Sequence, residues 1–259
     1  MTEPLFQIIH IAGIDGLVMA SIASLVAGFL RGFIGFGAAL VMTPILSLVF
    51  SPTVAVPIAF LSAVPAVIQL LPPTIKYGER AFVLPLGLTA LFAAPLGVWT
   101  LSEGDPKVLK IVISLIILMM AFALFRGWRF RRSPRTTIMI GVGLISGFLQ
   151  GLASVGGPPA VAAALSRPGD VYAQRGNILA AAAVLTASNI MPLWALGLFQ
   201  PQTLMLAAIL VPPHLVAAWV GNRYFDGRGK VHFHRAAIIM LMVVASSTLA
   251  LSVLDFLTN

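Results

Sequence analysis

Two long stretches without a charged residue constrain the fold more than any other feature of this sequence. Arg31 and Lys76 are separated by 44 residues free of Asp, Glu, Lys and Arg, and Arg175 and Arg223 by 47. A helix that crosses a hydrocarbon core of ~30 Å needs ~20 apolar residues. Each stretch is therefore long enough for two apolar segments and a turn, and a Pro that favours a turn lies in each.

The composition excludes the common soluble classes. Hydrophobic residues make up 59% of the chain and charged residues only 9%, whereas a soluble domain carries about 25% charged residues. The net charge of +8 is spread over short breaks between apolar runs, which differs from the basic face of a nucleic-acid-binding module. With no cysteine, a disulfide framework is also excluded. These observations predict a polytopic membrane protein without a nucleic-acid partner.

The apolar runs predict an all-α integral membrane fold. Only helices or closed barrels span lipid, and these runs are continuous rather than alternating, so we assign helices. The second and seventh segments each follow a glycine-rich break, and we expect them to be short or re-entrant. The ten predicted segments are 10–30, 34–50, 53–72, 81–101, 107–126, 136–152, 157–166, 174–199, 202–221 and 235–256.

The basic residues predict the orientation. If the N-terminus lies outside and every segment reverses direction, 14 of the 16 Lys and Arg residues fall in cytoplasmic breaks. Only Lys107 and Lys110 fall on the opposite side. We therefore expect a multi-pass protein of the cell inner membrane with both termini periplasmic and the loop Arg126–Arg135 cytoplasmic.

An internal repeat appears when the sequence is shifted by 119 residues. Gly28–Gly32 then aligns with Gly147–Gly151, and Gly37 aligns with Gly156. Five segments separate the two copies, and because this number is odd, the two halves would have opposite orientations in the membrane. We expect a first inverted repeat of segments 1–5 in residues 1–130 and a second of segments 6–10 in residues 131–259. Secondary transporters use this plan and bind substrate near the midplane at interrupted helices.

The two glycine motifs resemble those of a known family of membrane permeases. They read Gly28-x-x-x-Gly32-x-x-Gly35-x-Gly37 followed by Pro44, and Gly147-x-x-x-Gly151-x-x-x-x-Gly156-Gly157-Pro158. In this order, and over about residues 12 to 257, the chain resembles the TauE/SafE sulfite-exporter family. The resemblance implies export or passage of sulfite, other small sulfur oxyanions or organosulfonates. Many members carry a Gly-Thr-Ser-like patch after each motif, which residues 55–58 and 175–178 lack here, so the resemblance indicates the class of anion rather than one anion.

The two glycine breaks are the candidate binding site. Pro158 fits the first turn of a helix, where a missing N–H costs little. The remaining N–H groups of that turn point back toward the break, and the helix dipole adds positive charge there. Glycines allow an oxyanion to approach such N–H groups closely. The alternative is close helix packing through small residues, and for the breaks themselves we favour the site.

Polar residues near the breaks complete the candidate set. Arg31 and Gln150 occupy matching positions of the repeat, and Arg31 is either an anion-attracting group or an interfacial anchor. Gln150, Ser154 and Asn177 can donate hydrogen bonds to an oxyanion or form interhelical bonds worth ~0.6–2 kcal/mol. The predicted substrate-binding residues are Arg31, Gly35, Phe36, Gly37, Gln150, Ser154, Gly156, Gly157, Pro158 and Asn177.

The remaining ionisable residues argue against catalysis. All eight acidic residues fall in breaks or near segment ends, and His214 stands without an acidic partner in its apolar run. We expect no enzyme activity, no metal, no cofactor and no carboxylate-based ion coupling. The chain is predicted to be a permease for a small sulfur-containing anion, with the lipid bilayer as its surroundings and a homo-oligomer left open. The alternatives are uptake of another small anion, and a membrane scaffold subunit that transports nothing.

The orientation predicts the labelling of an introduced cysteine, because the natural chain has none. An Arg132→Cys variant in intact cells should resist an impermeant thiol reagent and react only after the membrane is permeabilised. Labelling of Cys at this position from outside intact cells would reverse the predicted orientation.

Overall fold

The structure is a computed structural model that describes residues 3–126, 130 and 134–229, and this part is helical without a strand. A π-helical turn, Phe225–Gly229, follows the last helix described. The helices are α1 Glu3–Ile34, α2 Ala38–Val49, α3 Pro52–Gln69, α4 Leu71–Tyr77, α5 Arg80–Glu103, α6 Pro106–Phe125, α7 Thr136–Ala153, α8 Gly157–Leu165, α9 Val171–Ala195 and α10 Pro201–Tyr224.

Helices occupy the first nine predicted segments. The tenth, 235–256, and residues 127–129 and 131–133 of the predicted cytoplasmic loop lie outside the described residues, so the count of ten stays a prediction. In the described part, six helices are long and apolar enough to cross a membrane, which makes this a multi-pass membrane protein. They are Gly13–Ile34, Pro52–Gln69, Arg80–Glu103, Thr136–Ala153, Val171–Ala195 and Pro201–Gly227.

Prolines begin several of these helices. Pro52 and Pro201 are the first residues of α3 and α10, where the missing N–H has no intrahelical acceptor in any case. The same preference explains the short α4, which was not predicted as a separate helix. Its first turn contains Pro72 and Pro73, so residues that appear to end one apolar segment also begin the next helix.

Helices α2 and α8 are about half the length of a membrane span. At 1.5 Å per residue, α2 is about 18 Å long and α8 about 14 Å, against a hydrocarbon core of ~30 Å. α2 packs against α1 and α3, and α8 packs against α7 and α9. Each therefore starts at a glycine break and stays inside the bundle.

Glycines allow α1 and α10 to pack with their backbones in contact. A Cβ atom on Gly28 would overlap the carbonyl oxygen of His214, and one on Gly32 would overlap that of Ala218. In the opposite direction, a Cβ atom on Gly221 would overlap the backbone of α1. Small residues permit this close approach where lipid supplies no hydrophobic force between helices.

The same kind of contact joins α5 to α7. A Cβ atom on Gly151 would overlap the carbonyl oxygen of Ala94 and lie 2.7 Å from the backbone nitrogen of Val98. A Cβ atom on Gly147 would lie 2.6 Å from Cα of Ala90. The two most extensive helix pairs of the described chain, α1 with α10 and α5 with α7, are thus both glycine-mediated.

These two helix pairs match residue by residue. Gly97 of α5 lies against the carbonyl oxygen of Phe148, and Gly221 of α10 lies against that of Phe29. The two phenylalanines are 119 residues apart and the two glycines 124. The same spacings relate two further contacts: Gly151 with Ala94, and Gly32 with Ala218. Helix α1 therefore packs on α10 in the same way as α7 packs on α5.

Adding a single methyl group should destabilise the protein at a glycine that packs against a neighbouring helix. The same change should have no such effect at a glycine that faces open space. Gly151→Ala inserts a Cβ atom into the backbone of α5 and should lower the free energy of unfolding by about 1–3 kcal/mol. The matched control is Gly141→Ala on the same helix, where a Cβ atom meets nothing within 4 Å. Thermal unfolding in detergent measures both, and equal melting temperatures for the two variants would contradict the packing role of Gly151.

Candidate functional site

The first break has a backbone that favours glycine at two positions. Gly35 and Gly37 adopt φ values of +100° and +95°, in the left-handed region where a Cβ atom is strained. The Gly35 N–H closes the last turn of α1 by donating to the carbonyl of Arg31 at 2.9 Å. Helix α2 then begins at Ala38, with Gly37 as its N-cap.

The second break ends α7 and starts α8 with residues that differ from those of the first break. Ser154 ends α7 at a φ of +58°, and its N–H donates to the carbonyl of Gln150 at 2.9 Å. Helix α8 then begins at Gly157, with Gly156 as its N-cap. The N–H of Gly156 donates to Oε1 of the Gln150 side chain at 3.1 Å. Gln150 therefore holds both ends of this break.

The two breaks lie in direct contact. A Cβ atom built on Gly157 would lie 3.4 Å from Cδ2 of Phe36, an ordinary van der Waals distance. The Thr43 hydroxyl of α2 also donates to the carbonyl of Ala153, the last residue of α7, at 3.1 Å. The ends of α1 and α7 and the starts of α2 and α8 thus converge on one region.

A cavity lies where the breaks meet. It offers about 50 Å³ to the centres of water molecules, which is room for several waters or one small anion. The lining residues are Arg31, Phe36, Gly37, Ala38, Ala39, Leu40, Ala59, Phe60, Ala63, Gln150, Ser154, Val155, Gly157, Pro158, Ala182, Leu185 and Thr186. Those from α3 and α9 come from the middle of each helix. The cavity therefore lies about halfway along the two helices.

The polar lining is rich in hydrogen-bond donors. Arg31, Gln150 and Ser154 are more than nine-tenths buried, with exposed fractions of 7%, 7% and 8%. Arg31 Nε and Ser154 Oγ have no hydrogen-bond partner within the described chain. Among the lining residues described, Arg31 carries the only formal charge. Unpartnered buried donors next to a cavity are costly unless a ligand or water satisfies them.

The structure brings most of the predicted site residues to this cavity. Arg31 lies in its wall and is buried rather than at the surface. Three predicted residues are not in the wall. Gly35 packs against Ile178 and Leu179, Gly156 lies behind Gln150, and Asn177 bonds elsewhere. The lining members of the predicted set are Arg31, Phe36, Gly37, Gln150, Ser154, Gly157 and Pro158.

Asn177 belongs to a polar cluster at the start of α5. Its Oδ1 accepts from the Glu79 backbone N–H and its Nδ2 donates to Glu79 Oε1, both at 2.8 Å. Arg167 donates to Glu79 Oε2 from Nε at 3.0 Å and also from Nη2. Burial raises the pKa of the Glu79 carboxyl, but the hydrogen bonds from Arg167 and Asn177 and the charge of Arg167 outweigh it, so this pKa lies below its usual value. The oxygen and the nitrogen of the Asn177 amide thus each bond to Glu79, which joins α9 to the start of α5.

Arg175 holds the end of α1 in place. It was counted among the basic residues of the cytoplasmic breaks, at the start of the predicted segment 174–199, and it sits in the second turn of α9 with only 3% of its surface exposed. Its guanidinium donates to the carbonyls of Phe33, at 3.0 Å, and Gly32, and to Asn222 Oδ1 at 2.8 Å. These carbonyls belong to the last turn of α1, where no intrahelical donor is available. Arg175 thereby satisfies the helix end that precedes the first break.

The sequence analysis missed the walls supplied by α3 and α9. These walls present small side chains at helical spacing, with Ala59 and Ala63 on α3 and Ala182 and Thr186 on α9. Pairs of small residues four positions apart lie on one face of a helix. That spacing was the available signal, although it also occurs at ordinary helix contacts.

The lowered pKa of Glu79 predicts a pH-dependent stability. A carboxyl whose pKa is lower in the folded than in the unfolded protein stabilises the fold above its ordinary pKa, and this stabilisation is lost as pH falls through the folded value. Because Glu79 is about one-third exposed, replacing it should cost under about 1 kcal/mol at neutral pH. The stability difference between wild type and Glu79→Gln should shrink on acidification. A difference that stays constant as the pH falls would contradict the ion pair.

The comparison with protein-family models agrees with this architecture. The family model described as Sulfite exporter TauE/SafE matches residues 20–248, which is most of the chain. No curated protein and no solved structure matches the chain. The chain is a multi-pass membrane protein that belongs to the TauE/SafE sulfite exporter family.

Proposed function

We propose that the protein is a permease that moves a small sulfur-containing anion, of the sulfite or organosulfonate class, through the cavity between the two breaks. The observation that carries the proposal is the cavity itself, in which Arg31, Gln150 and Ser154 meet the starts of two interrupted helices. Family membership supplies the anion class. A small, donor-rich cavity free of acidic side chains in its described wall fits an oxyanion.

The binding chemistry follows from the two kinds of donor. Arg31 supplies a full positive charge and directional N–H groups. The start of α2 supplies backbone N–H groups and the positive end of a helix dipole. Gly37 has no side chain, so an anion can reach this backbone closely. The apolar walls around Phe36 and Phe60 would exclude large hydrated ions.

We further propose that two inverted repeats, 1–130 and 131–259, flank this site. The reciprocal glycine contacts of α1 with α10 and of α5 with α7 support this division, because they recur at constant sequence spacings. In transporters of this plan, one bundle rocks against the other around a fixed midplane site. Gly28, Gly32, Gly147 and Gly151 would then belong to the rigid bundles, and the breaks to the site between them.

Export is the direction that the electrical driving force favours. With the predicted orientation in the inner membrane, an inside-negative potential repels the anion outward by about 2.3 kcal/mol per charge per 100 mV. No acidic side chain lies within the described membrane-spanning helices away from their ends. We therefore propose movement that follows potential and concentration, without catalysis and without obligatory proton or sodium coupling.

The two alternatives differ in what they require of the cavity. A scaffold subunit would need no polar cavity, and a cavity lined by buried, unpartnered donors carries a stability cost that a packed apolar core would avoid. Uptake of another anion would use the same cavity against the electrical gradient, and would need an energy source. Export or facilitated passage is therefore the function that we favour.

Flux in proteoliposomes tests the proposal, with a pair of variants at Gly157 that differ only in bulk. Sulfite, thiosulfate, sulfate and a small sulfonate are offered at a clamped membrane potential. Gly157→Leu should abolish flux, because its side chain would extend past Phe36 into the cavity. Gly157→Ala should keep at least half of wild-type flux, because its Cβ atom makes only ordinary contacts.

The outcomes separate a binding site from a packing contact. Wild-type flux through a well-folded Gly157→Leu protein would mean that the cavity is not on the anion path. Absence of flux for every anion in a folded wild-type protein would favour the scaffold alternative.

A further inference from the structure

We propose that the cavity accepts a single negative charge, so that the transported species is a monoanion, and that residue 150 sets this charge limit. This inference rests on the proposed function and narrows its substrate. Sulfite is present in water as the monoanion hydrogensulfite and as a dianion, and simple sulfonates are monoanions. The inference therefore predicts that hydrogensulfite and simple sulfonates are transported in preference to the sulfite dianion.

The part of the cavity wall that the structure describes contains one formal charge. Arg31 is the only charged residue among the lining residues that the structure describes, and no carboxylate neutralises it within the described chain. A buried cation without a counter-ion is costly, and a monoanion beside it gives a neutral pair. A dianion would leave one negative charge uncompensated in a region where charge is poorly solvated.

Gln150 is the neutral counterpart of Arg31. The two residues are 119 positions apart, at matching places before the two breaks. Oε1 of Gln150 accepts the N–H of Gly156 at 3.1 Å, so the amide nitrogen is the end left to donate into the cavity. The same bond places the negative end of the amide dipole on the start of α8. The second half thus contributes a neutral donor where the first half contributes a full charge.

The other ionisable groups nearby do not change this balance. His214 on α10 is fully buried and within electrostatic reach of Arg31, but it is not in the cavity wall. Arg175 on α9 is bound to the carbonyls of α1, and Glu79 is bound to Arg167. The charge that faces an anion in the described part of the cavity is that of Arg31.

The charge moved per anion is the direct test. Current and tracer flux are measured together in proteoliposomes with equal pH on both sides. Wild type should move one elementary charge per sulfur atom with methanesulfonate and with sulfite. Sulfite flux should fall at least about tenfold as the medium is made alkaline enough to deprotonate hydrogensulfite, while methanesulfonate flux changes less than about twofold; sulfate, a dianion, should move at least about tenfold more slowly.

Gln150→Arg tests the role assigned to residue 150. A second cation should raise the flux of sulfate relative to that of methanesulfonate at least about tenfold. The matched control is Gln202→Arg in the first turn of α10, which adds the same charge away from the cavity wall and should leave this ratio unchanged. A His214→Gln variant tests whether the pH dependence of sulfite flux comes from titration of the substrate. If it does, this pH dependence persists in the variant.

Each contrary result overturns the proposal in a distinct way. Two charges per sulfur atom in wild type, or sulfate moving as fast as methanesulfonate, would refute the charge limit while leaving the protein a permease. An unchanged ratio in a folded Gln150→Arg protein would refute the role of Gln150, and loss of the pH dependence in His214→Gln would place the titration on the protein. Failure of every anion to move would instead refute the proposed function.

Discussion

A helix that stops inside a membrane leaves N–H and carbonyl groups without partners, and the centre of this structure depends on how those groups are satisfied. At the end of α1, Arg175 donates to the carbonyls of Gly32 and Phe33. At the end of α7, Asn189 donates to the carbonyl of Gln150 at 2.8 Å and Thr43 donates to that of Ala153. Both carbonyl ends are thus bound by side chains from other helices.

The starts of α2 and α8, where N–H groups are left without intrahelical partners, lie beside different side chains. The candidate site lies where these two helix starts meet. At the start of α8, the Gln150 side chain accepts the N–H of Gly156. At the start of α2, the matching residue is Arg31, which has no acceptor to offer. The cavity lies at this point, and donors on Arg31 and Ser154 have no hydrogen-bond partner among the residues described. An anion would satisfy both the free donors and the unpaired charge, which connects the backbone geometry to the proposed transport.

Sequence reasoning reached the membrane class, nine of the helical segments and the convergence of the two breaks, because these follow from apolar length, glycine and repeat spacing. It could not fix the depth of Arg31, because the same position fits an interfacial anchor until the neighbouring helices are known. Asn177 and Arg175 show a second limit. A polar residue within an apolar run bonds to whatever the packing brings near it, here Glu79 and the end of α1. The separate α4 was missed because its prolines fit a helix end equally well.

The proposed site places an anion between the two breaks, beside Arg31 and the start of α2. Selenite is the selenium analogue of sulfite, and its anomalous scattering locates it directly in crystals of the protein. One selenium peak should appear in the cavity between Gly37 and Gly157, at a position from which an oxygen of selenite accepts a hydrogen bond from the Arg31 guanidinium. A peak elsewhere with this cavity empty would contradict it.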